Sequence, residues 1–342
     1  MTPLAGLIAA EIAAHGPMPV DRYMELALQH PDYGYYRQAA PIGRAGDFIT
    51  APEISQMFGE MLGLWCALAW QGMGSPKQFV LLELGPGHGT LMRDALRATR
   101  HVTGFHDALR LCMLENHSGL QEKQREAVIP VPVQHVSDLS ALPPSPLIFI
   151  ANEFFDALPV RQYVRRGDAW SETRIDHKGD AFAFSHKTVE PPIVTAQAKA
   201  VYETCPAAHD IMGQLVRHMR LHGGAGVVAD YGYETPPEQS TLQAVQAHQK
   251  VDFLSSPGQV DLTALVDFAA LSETAKSAGA AVISLGGQGD FLRGMGIERR
   301  AAQLKQKATP QQALDIDHAL HRLTDDAEMG TLFRVMTLSV IL

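Results

Sequence analysis

The sequence contains few cysteines, and they do not have the spacing of a disulfide framework or a zinc site. Only three of the 342 residues are cysteine, Cys66, Cys112 and Cys205, and no Cys-x-x-Cys pair occurs. The histidines are scattered, and a pair such as His218 and His222 lacks a third ligand at a suitable spacing. We therefore expect neither disulfides nor a bound metal.

Long apolar runs are also missing. The longest apolar stretch covers residues 62–70, which is about half of the ~18 residues that a helix needs to span a bilayer. The chain begins Met1-Thr2-Pro3-Leu4, without the basic segment and apolar run that mark a secretory signal. We therefore expect a cytoplasmic protein with no integral membrane segment.

Positive charge is in deficit. The 28 lysines and arginines against 37 aspartates and glutamates leave a formal net charge of −9. Sequence-independent binding to a phosphate backbone needs clustered cations, so nucleic acid is not an expected partner. The hydrophobic share of 46% and the charged share of 19% are ordinary for a globular protein.

Short apolar runs alternate with helical patterns along most of the chain. This alternation has the rhythm of βαβ units, which predicts an α/β fold with a Rossmann-like parallel sheet. The predicted strands are residues 79–84, 109–114, 131–136, 147–151, 226–230, 281–285 and 332–342. The predicted helices among them are residues 90–99, 196–221, 262–278, 297–307 and 310–322.

Two segments depart from this rhythm. Residues 1–75 show helical spacing of apolar residues over 4–14, 21–29 and 54–70, which predicts an N-terminal helical cap. Short alternating segments, broken by turn residues at Gly167 and Gly179, predict an inserted antiparallel hairpin region at about residues 160–195. The remainder of residues 76–342 would form the sheet domain, with additional helices at about 240–325.

Three glycines stand at every second position between a predicted strand and a predicted helix. They are Gly85, Gly87 and Gly89. Glycine tolerates positive φ and close backbone approach, and the N-terminus of the following helix offers N–H groups to polar ligand atoms. The dinucleotide fingerprint places its third glycine three residues after the second, where this sequence has Thr90.

Glu83 precedes the first of these glycines by two residues. A carboxylate at the end of the strand repels a pyrophosphate and suits a ligand that carries a cation. S-adenosylmethionine has an ammonium and a sulfonium and no phosphate, so it is the expected cofactor. The alternative is a glycine-rich turn with an incidental glutamate.

Acids follow the next two predicted strands. Glu115 lies 26 residues after Gly89, where a Rossmann-type sheet places the carboxylate that binds ribose hydroxyls, although the usual interval is nearer ~20. Asp138, with Leu139 beside it, follows the third strand and is expected near the adenine amino group. A surface acid at 115 and a solvated loop acid at 138 are the alternatives.

The fourth predicted strand ends in Asn152-Glu153-Phe154-Phe155-Asp156. Polar residues at the carboxyl end of a central strand lie where the reactive end of a ligand binds. The segment is similar to the (Asn/Asp)-Pro-Pro-(Tyr/Phe) element of amino-group methyltransferases, with Glu153 in place of a proline. We expect Asn152, Glu153 and Asp156 to be catalytic. The alternative is a helix N-cap by Asn152 with acids favouring the first helical turn.

Five motifs in order closely resemble the MidA family, the family of the mitochondrial complex I assembly methyltransferase. The resemblance covers about residues 20–340. The motifs are Gly46-Asp47-Phe48-Ile49-Thr50-Ala51-Pro52-Glu53-Ile54-Ser55-Gln56-Met57-Phe58-Gly59-Glu60, the glycine loop, Asn152-Glu153-Phe154-Phe155-Asp156-Ala157-Leu158-Pro159, Ala229-Asp230-Tyr231-Gly232-Tyr233 and Pro257-Gly258-Gln259-Val260-Asp261-Leu262-Thr263.

This resemblance implies a class I methyltransferase fold and, in mitochondrial members, symmetric dimethylation of an arginine in a core subunit of complex I. It implies that residues 46–56 fold over the cofactor, with Gly46 and Thr50 binding it and Glu53 and Gln56 on the substrate side. It also implies that the substrate cleft is lined by Asp230, Tyr231, Asp261 and Thr263.

Other functions remain open from the sequence. In methyl transfer from a sulfonium the protein chiefly aligns the reactants, and Glu153 and Asp156 could orient an arginine guanidinium and take its proton while the Asn152 carbonyl positions its nitrogen. The alternatives are a cofactor-binding assembly chaperone for a respiratory complex and a methyltransferase that acts on a small molecule or RNA. A nicotinamide oxidoreductase conflicts with the glycine spacing. A protein substrate is expected, and a homodimer is compatible with the sequence.

Overall fold

The computed structural model describes residues 2–37, 50–190 and 200–341. Its contacts divide the chain into two compact units. The first unit contains residues 1–48, 155–210 and 233–269, and the second contains residues 49–154, 211–232 and 270–342. The helix at residues 56–72, which the sequence assigned to an N-terminal cap, lies in the second unit.

The helices follow in chain order. They are α1 (Pro3–His15), α2 (Val20–Gln29), α3 (Ala51–Ile54), α4 (Gln56–Gly72), α5 (Thr90–Thr99), α6 (Phe105–Ala108), α7 (Ser118–Ala127), α8 (Pro206–His222), α9 (Phe268–Ala278), α10 (Gln288–Gly294), α11 (Ile297–Lys305), α12 (Pro310–Thr324) and α13 (Met329–Leu332). Short 3-10 helices cover Tyr35–Arg37 and Leu139–Ala141.

The strands are numbered in the same way. They are β1 (Met18–Pro19), β2 (Phe79–Leu84), β3 (Leu109–Leu114), β4 (Val133–Val136), β5 (Leu147–Asn152), β6 (Arg161–Arg166), β7 (Ala169–Lys178), β8 (Ala181–Thr188), β9 (Val201–Thr204), β10 (Gly224–Tyr233), β11 (Gln243–Gln246), β12 (Gln249–Lys250), β13 (Asp261–Thr263), β14 (Val266–Asp267), β15 (Ala281–Gly287) and β16 (Phe333–Val340).

The second unit is built on a mostly parallel sheet. Its strands follow the order β15-β16-β10-β5-β2-β3-β4. The strands from β10 to β4 pair in parallel, and β16 runs antiparallel to both β10 and β15. The strands β2 and β5 are buried at every position, as expected of central strands in a sheet covered on both faces. The predicted Rossmann-like α/β fold is therefore confirmed, and the carboxyl ends of β2, β3 and β5 lie at one edge.

Helix α4 packs unusually closely on α5, the helix that follows the glycine loop. A Cβ at Gly59 would lie 2.8 Å from the main-chain oxygen of Leu91, and one at Gly63 would lie 2.6 Å from the Cα and oxygen of Ala95. The buried Glu60, between these glycines, binds Arg97 of α5 at 3.1 Å and Arg300 of α11 at 2.7 Å. The small residues and the ion pairs together fix the position of α5.

The first unit contains α1, α2 and two small sheets. One sheet has the order β1-β7-β6-β9 with β8 on β7, and the other has the order β12-β11-β13. The hairpins at residues 161–188 confirm the predicted antiparallel insertion, and Gly167 and Gly179 turn them with φ of +61° and +62°. The core is apolar and includes Leu4, Ile8, Val20, Tyr23, Met24, Leu28, Ile175, Val260 and Leu262.

Two predicted helices are wrong in part. In the helix predicted over residues 196–221, β9 occupies residues 201–204 and α8 begins at Pro206, because proline starts a helix readily but keeps the residue before it out of the helical region. The helix predicted over residues 262–278 begins at Phe268, and the segment before it pairs with β11 instead. Short apolar runs fit the period of a helix and that of a strand equally well. In both segments, pairing with another strand makes the chain extended.

The described residues carry neither a candidate membrane span nor a candidate metal cluster. Within residues 2–37, 50–190 and 200–341, every helix is too short or too polar to cross a bilayer. In the same ranges, histidine, cysteine, aspartate and glutamate side chains do not gather in threes that could hold a metal ion.

Replacing Gly63 with alanine should destabilise the second unit. The added methyl group would meet main-chain atoms of Ala95, and such overpacking costs about 1–3 kcal/mol, which outweighs the gain of about 1 kcal/mol for alanine over glycine in a helix. At Gly72, at the end of the same helix, an added Cβ has nothing within 4 Å. Thermal unfolding should therefore show a lower midpoint for Gly63→Ala than for the control Gly72→Ala, and equal midpoints would contradict the close packing.

Candidate functional site

The predicted glycine loop connects β2 to α5 in a conformation that needs glycine. Gly85, Gly87 and Gly89 have φ of +62°, +51° and +79°, a region that side chains disfavour. A Cβ at Gly85 would lie 2.9 Å from Cδ2 of Phe154. Gly89 is the N-cap residue of α5 and offers no side chain to the first N–H groups of that helix. The loop is therefore a bend that lacks side chains at Gly85, Gly87 and Gly89, followed by a helix N-terminus suited to polar ligand atoms.

Glu83 lies at the end of β2 and is 3% exposed. Its Oε2 atom is buried and has no hydrogen-bond partner among the described residues. Burial raises the pKa of this carboxyl to about 8. A buried acceptor without a partner is costly, so the site favours a ligand that brings a cation or an N–H donor.

Glu115 follows β3 and is held at both carboxylate oxygens. Its Oε1 accepts from the main-chain N–H of His117 at 2.8 Å, and its Oε2 accepts from Nε2 of Gln124 at 3.2 Å. The same Gln124 amide nitrogen donates to the main-chain oxygen of Gly87 at 2.8 Å. The structure thus brings Glu115 and the glycine loop together through a residue that sequence reasoning missed.

Asp138 and Leu139 lie beyond the end of β4. The Asp138 carboxylate is exposed and accepts from the main-chain N–H of Ser140 at 2.7 Å, which caps the 3-10 helix over residues 139–141. The hydrogen bonds from Ser140 lower the Asp138 pKa. Leu139 is buried. The adenine-binding role of this pair stays a prediction.

Asn152 ends β5 and is 8% exposed. Its Nδ2 donates to Oε1 of Glu153 at 3.3 Å, while its Oδ1 is buried without a hydrogen-bond partner in the described part of the chain. Residues 153–160 form turns and not a helix. The alternative in which Asn152 caps a helix is therefore wrong.

Glu153 has a strained backbone, with φ of +48°, where few residues other than glycine are found. Its main-chain N–H donates to the oxygen of Ala229 at 3.0 Å. Its carboxylate Oε1 accepts from the main-chain N–H of Ala51, the first residue of α3, at 2.9 Å. The side chain predicted to be catalytic therefore also anchors the start of α3.

Helix α3 is anchored a second time at its other end. Oε1 of Glu53 accepts from the hydroxyl of Thr90 at 2.6 Å, and Thr90 is the first residue of α5. Thr50 is the N-cap residue of α3, and Gly46 lies outside the described residues. The side chain of Gln56, predicted to bind substrate, instead accepts a hydrogen bond at Oε1 from Arg97 of α5 at 3.0 Å. Residues 50–56, the described part of the segment that the family resemblance placed over the cofactor, are therefore tied to the glycine-loop helix within the second unit.

Asp230 is fully buried on β10. Its Oδ2 accepts from the main-chain N–H of Phe154 at 3.1 Å, and its Oδ1 accepts from that of Tyr231 at 2.8 Å. These bonds place Asp230 beneath the turn that follows Asn152, where it holds Phe154 against Gly85. Tyr231 packs its ring on Phe333, with the ring centroids 5.5 Å apart.

The remaining predicted residues lie in the first unit. Asp261 is buried on β13 and accepts from the hydroxyl of Tyr36 at 3.3 Å. Burial raises the pKa of Asp156 to about 7. Burial, Asp261 and Asp156 together raise the pKa of Tyr36. Thr263 pairs with Gln243 of β11. Tyr36 was not predicted, because only the folded chain brings it to Asp261, 225 residues away.

Replacing Glu83 with glutamine should change how stability depends on pH. The folded-state pKa of about 8 lies above the ordinary value of 4.5 for this carboxyl, so wild-type protein loses stability as the pH rises through this interval, by up to about 1.4 kcal/mol per pH unit. Glutamine carries no charge and should lack this loss. Chemical denaturation from pH 5 to pH 9 should show that the free energy of unfolding of the variant rises relative to that of wild type up to about pH 8. Parallel pH profiles of the two proteins would contradict a buried acid.

Curated relatives match almost the whole chain. Protein arginine methyltransferase NDUFAF7 of Homo sapiens, a mitochondrial protein, is 34% identical over 99% of this chain and 83% of its own length. Its namesake in Danio rerio, also mitochondrial, is 32% identical over 96% of this chain and 84% of its own. The expectation of a cytoplasmic protein is wrong on this comparison, because these relatives are mitochondrial.

Solved structures agree with the fold. A protein from Burkholderia thailandensis bound to S-adenosyl-homocysteine, inferred to be a methyl transferase, superimposes with a TM-score of 0.84 at 29% identity, over 98% of this chain and 92% of its own. A native crystal structure of an uncharacterized protein from the same organism gives a TM-score of 0.80 at 29% identity, over 98% of this chain and 91% of its own.

The family assignment comes from residues 61–285, which match the family described as "putative S-adenosyl-L-methionine-dependent methyltransferase". The matched residues make up more than half of the chain and include the glycine loop and the ends of β3 and β5. Together with relatives above 30% identity over nearly the full length, this match shows that the chain belongs to the MidA-like family of S-adenosyl-L-methionine-dependent methyltransferases.

Proposed function

We propose that this chain transfers the methyl group of S-adenosylmethionine to the side chain of an arginine in a protein substrate. The observation that carries this proposal is the buried Oδ1 of Asn152 at the end of β5, an acceptor without a partner among the described residues. An acceptor in that position suits a substrate N–H. The NDUFAF7 relatives, which are named protein arginine methyltransferases, support arginine over other nitrogen acceptors.

The residues of the second unit fit the cofactor. The glycine bend leaves room where side chains would obstruct a ligand, and Glu83 supplies a buried acceptor for the ammonium group of the methionine part. Glu115 would accept from the ribose hydroxyls, and Asp138 with Leu139 would border the adenine. The bound cofactor supplies a methyl group that is already activated by its sulfonium, so the protein's task is chiefly alignment.

Arginine methylation also requires a group that holds the guanidinium cation and accepts a proton. The guanidinium is fully protonated near neutral pH. The Asn152 oxygen would orient its N–H group, and the Glu153 carboxylate would balance the charge and take the proton. Asp156, whose pKa is raised to about 7, is a second candidate acceptor on chemical grounds, because a base works best when its pKa is near the working pH.

In the first unit, Asp261 and Thr263 are proposed to contact the substrate, with Tyr36 fixing the Asp261 carboxylate by its 3.3 Å hydrogen bond. In the second unit, Glu53 and Tyr231 keep this proposed role, and Thr50 is proposed to border the cofactor. Gly46, which lies outside the described residues, keeps its proposed role in cofactor binding. Asp230 and Gln56 form hydrogen bonds with Phe154 and Arg97, which favours supporting roles for these two.

The proposed substrate can be tested with radiolabelled cofactor. Purified protein is incubated with S-adenosylmethionine labelled in its methyl group and with lysate from a strain that lacks the gene, and the labelled product is digested and identified by mass spectrometry. Label on arginine of a protein supports the proposal. Label on another type of residue, on RNA or on a small molecule would contradict it.

The Glu153→Gln variant should lose turnover and keep cofactor binding. The amide oxygen of glutamine can still accept from Ala51, so α3 should stay in place, but glutamine cannot take a proton. We expect turnover to fall by about 10²-fold or more, while the affinity for S-adenosyl-homocysteine stays within about threefold.

The matched control for this variant is Asp168→Asn, the same acid-to-amide change in an exposed hairpin turn. Turnover of the control should equal that of wild type. Wild-type turnover in Glu153→Gln would reject the proton-accepting role of Glu153.

We further propose that the protein substrate is a core subunit of respiratory complex I. The support is the family resemblance, and a role as assembly chaperone is the rival account. Gly87→Val separates them, because a branched side chain at φ of +51° should distort the loop and prevent cofactor binding. Complex I assembly in cells should then fail if methylation is required, whereas normal assembly with this variant would favour the chaperone.

A further inference from the structure

Gln124 is a fully buried glutamine in the middle of α7. Its amide nitrogen lies 2.8 Å from the main-chain oxygen of Gly87 and 3.2 Å from Oε2 of Glu115. Its amide oxygen lies 2.8 Å from Nε2 of His135 on β4. One side chain therefore connects the glycine loop, the acid after β3 and the neighbouring strand.

The chemistry of these neighbours fixes the orientation of the amide. A main-chain oxygen and a carboxylate are both acceptors, so the group facing Gly87 and Glu115 must be the NH₂. The oxygen of Gln124 then faces His135, whose Nε2 must carry a proton. Burial lowers the His135 pKa, and its Nδ1 is buried without a partner among the described residues. Both facts favour the neutral ring with its proton on Nε2, which suits this hydrogen bond.

The backbone of α7 contacts the loop as well. A Cβ at Gly89 would lie 3.2 Å from the Cα of Gln124 and 3.2 Å from the Cβ of Ala127. The loop therefore rests directly on this turn of α7. A further contact of Glu115 comes from the same helix, since Gln121 of α7 donates to its main-chain oxygen at 2.8 Å.

We propose that Gln124 is a positioning residue for cofactor binding. By donating to Gly87 and to Glu115 at once, it sets the separation between the glycine loop and the ribose-binding carboxylate before the cofactor arrives. Preorganisation of this kind raises affinity because the bound ligand does not have to order the site. The proposal rests on the proposed role of Glu115 toward the ribose.

The sharpest test is Gln124→Glu, which keeps the shape of the side chain and replaces its NH₂ by an oxygen. At pH 8 the new carboxylate would face an oxygen of Gly87 and the carboxylate of Glu115. The dissociation constant of S-adenosyl-homocysteine, measured by calorimetry, should rise at least tenfold relative to wild type. At pH 5.5 the introduced carboxyl group can be protonated and can donate a hydrogen bond again. The dissociation constant of the variant divided by that of wild type should therefore be markedly smaller at pH 5.5 than at pH 8.

The matched control is Gln134→Glu, the same change at an exposed position on β4 next to His135. Its affinity should stay within twofold of wild type at both pH values. Affinity of Gln124→Glu within twofold of wild type at pH 8 would overturn the proposal. An affinity that is weaker than wild type by the same factor at both pH values would also overturn the proposal. Such a loss would come from general damage to packing and not from the missing hydrogen-bond donor.

A second variant covers the case in which Gln124→Glu does not fold. His135→Phe keeps an aromatic ring and removes the donor that orients the Gln124 amide, so the dissociation constant should rise at least threefold. A rise of less than threefold would overturn the proposal. The Glu115→Gln variant distinguishes failure of the Gln124 proposal from failure of the proposed ribose role of Glu115. Wild-type affinity for S-adenosyl-homocysteine in Glu115→Gln would reject the ribose role. Weak affinity in Glu115→Gln together with wild-type affinity in Gln124→Glu would reject only the role of Gln124.

Discussion

The whole site depends on one constraint, the positive-φ bend from Gly85 to Gly89. The bend is supported from two directions within the second unit. Phe154 packs beneath Gly85, and Gln124 binds the oxygen of Gly87. Phe154 is in turn fixed by the buried carboxylate of Asp230. Contacts of Phe154, Gln124 and Asp230 within the chain thus help to determine the shape of this bend.

Electrostatics explains why this bend suits a cationic nucleoside and not a dinucleotide. Buried acceptors border it, among them Glu83 Oε2 and Asn152 Oδ1, which have no hydrogen-bond partner among the described residues. A pyrophosphate would bring further acceptor oxygens and would leave these buried acceptors unmet. An ammonium or a guanidinium N–H would instead relieve the cost of an unmet buried acceptor. The strained backbone of Glu153 belongs to the same design, since it directs a carboxylate to the start of α3.

Much of the sheet and the position of the glycine bend could be predicted from the sequence. The strands β2 and β3 and the helix α5 begin and end at the predicted residues, because their apolar periods are strong and glycines or polar residues bound them. The segments around β9 and β13 could not be predicted, because their apolar spacing fits a helix and only pairing with distant strands makes them extended. Glu83 and Asn152 carried a signal, since acids and amides at the ends of buried strands stand out. Gln124 carried none, because its partners Gly87 and Glu115 are 37 and 9 residues away.

Calorimetry tests the central claim most directly, by titrating wild-type protein and Gly85→Ala with S-adenosylmethionine, S-adenosyl-homocysteine and a nicotinamide dinucleotide. The alanine methyl would stand 2.9 Å from Phe154 at a φ of +62°. We predict that wild type gives saturable heat with both sulfur nucleosides and no binding heat with the dinucleotide. The affinity of Gly85→Ala for both sulfur nucleosides should be at least tenfold weaker. A silent titration of wild type with both sulfur nucleosides, or a comparable signal with the dinucleotide, would contradict the account.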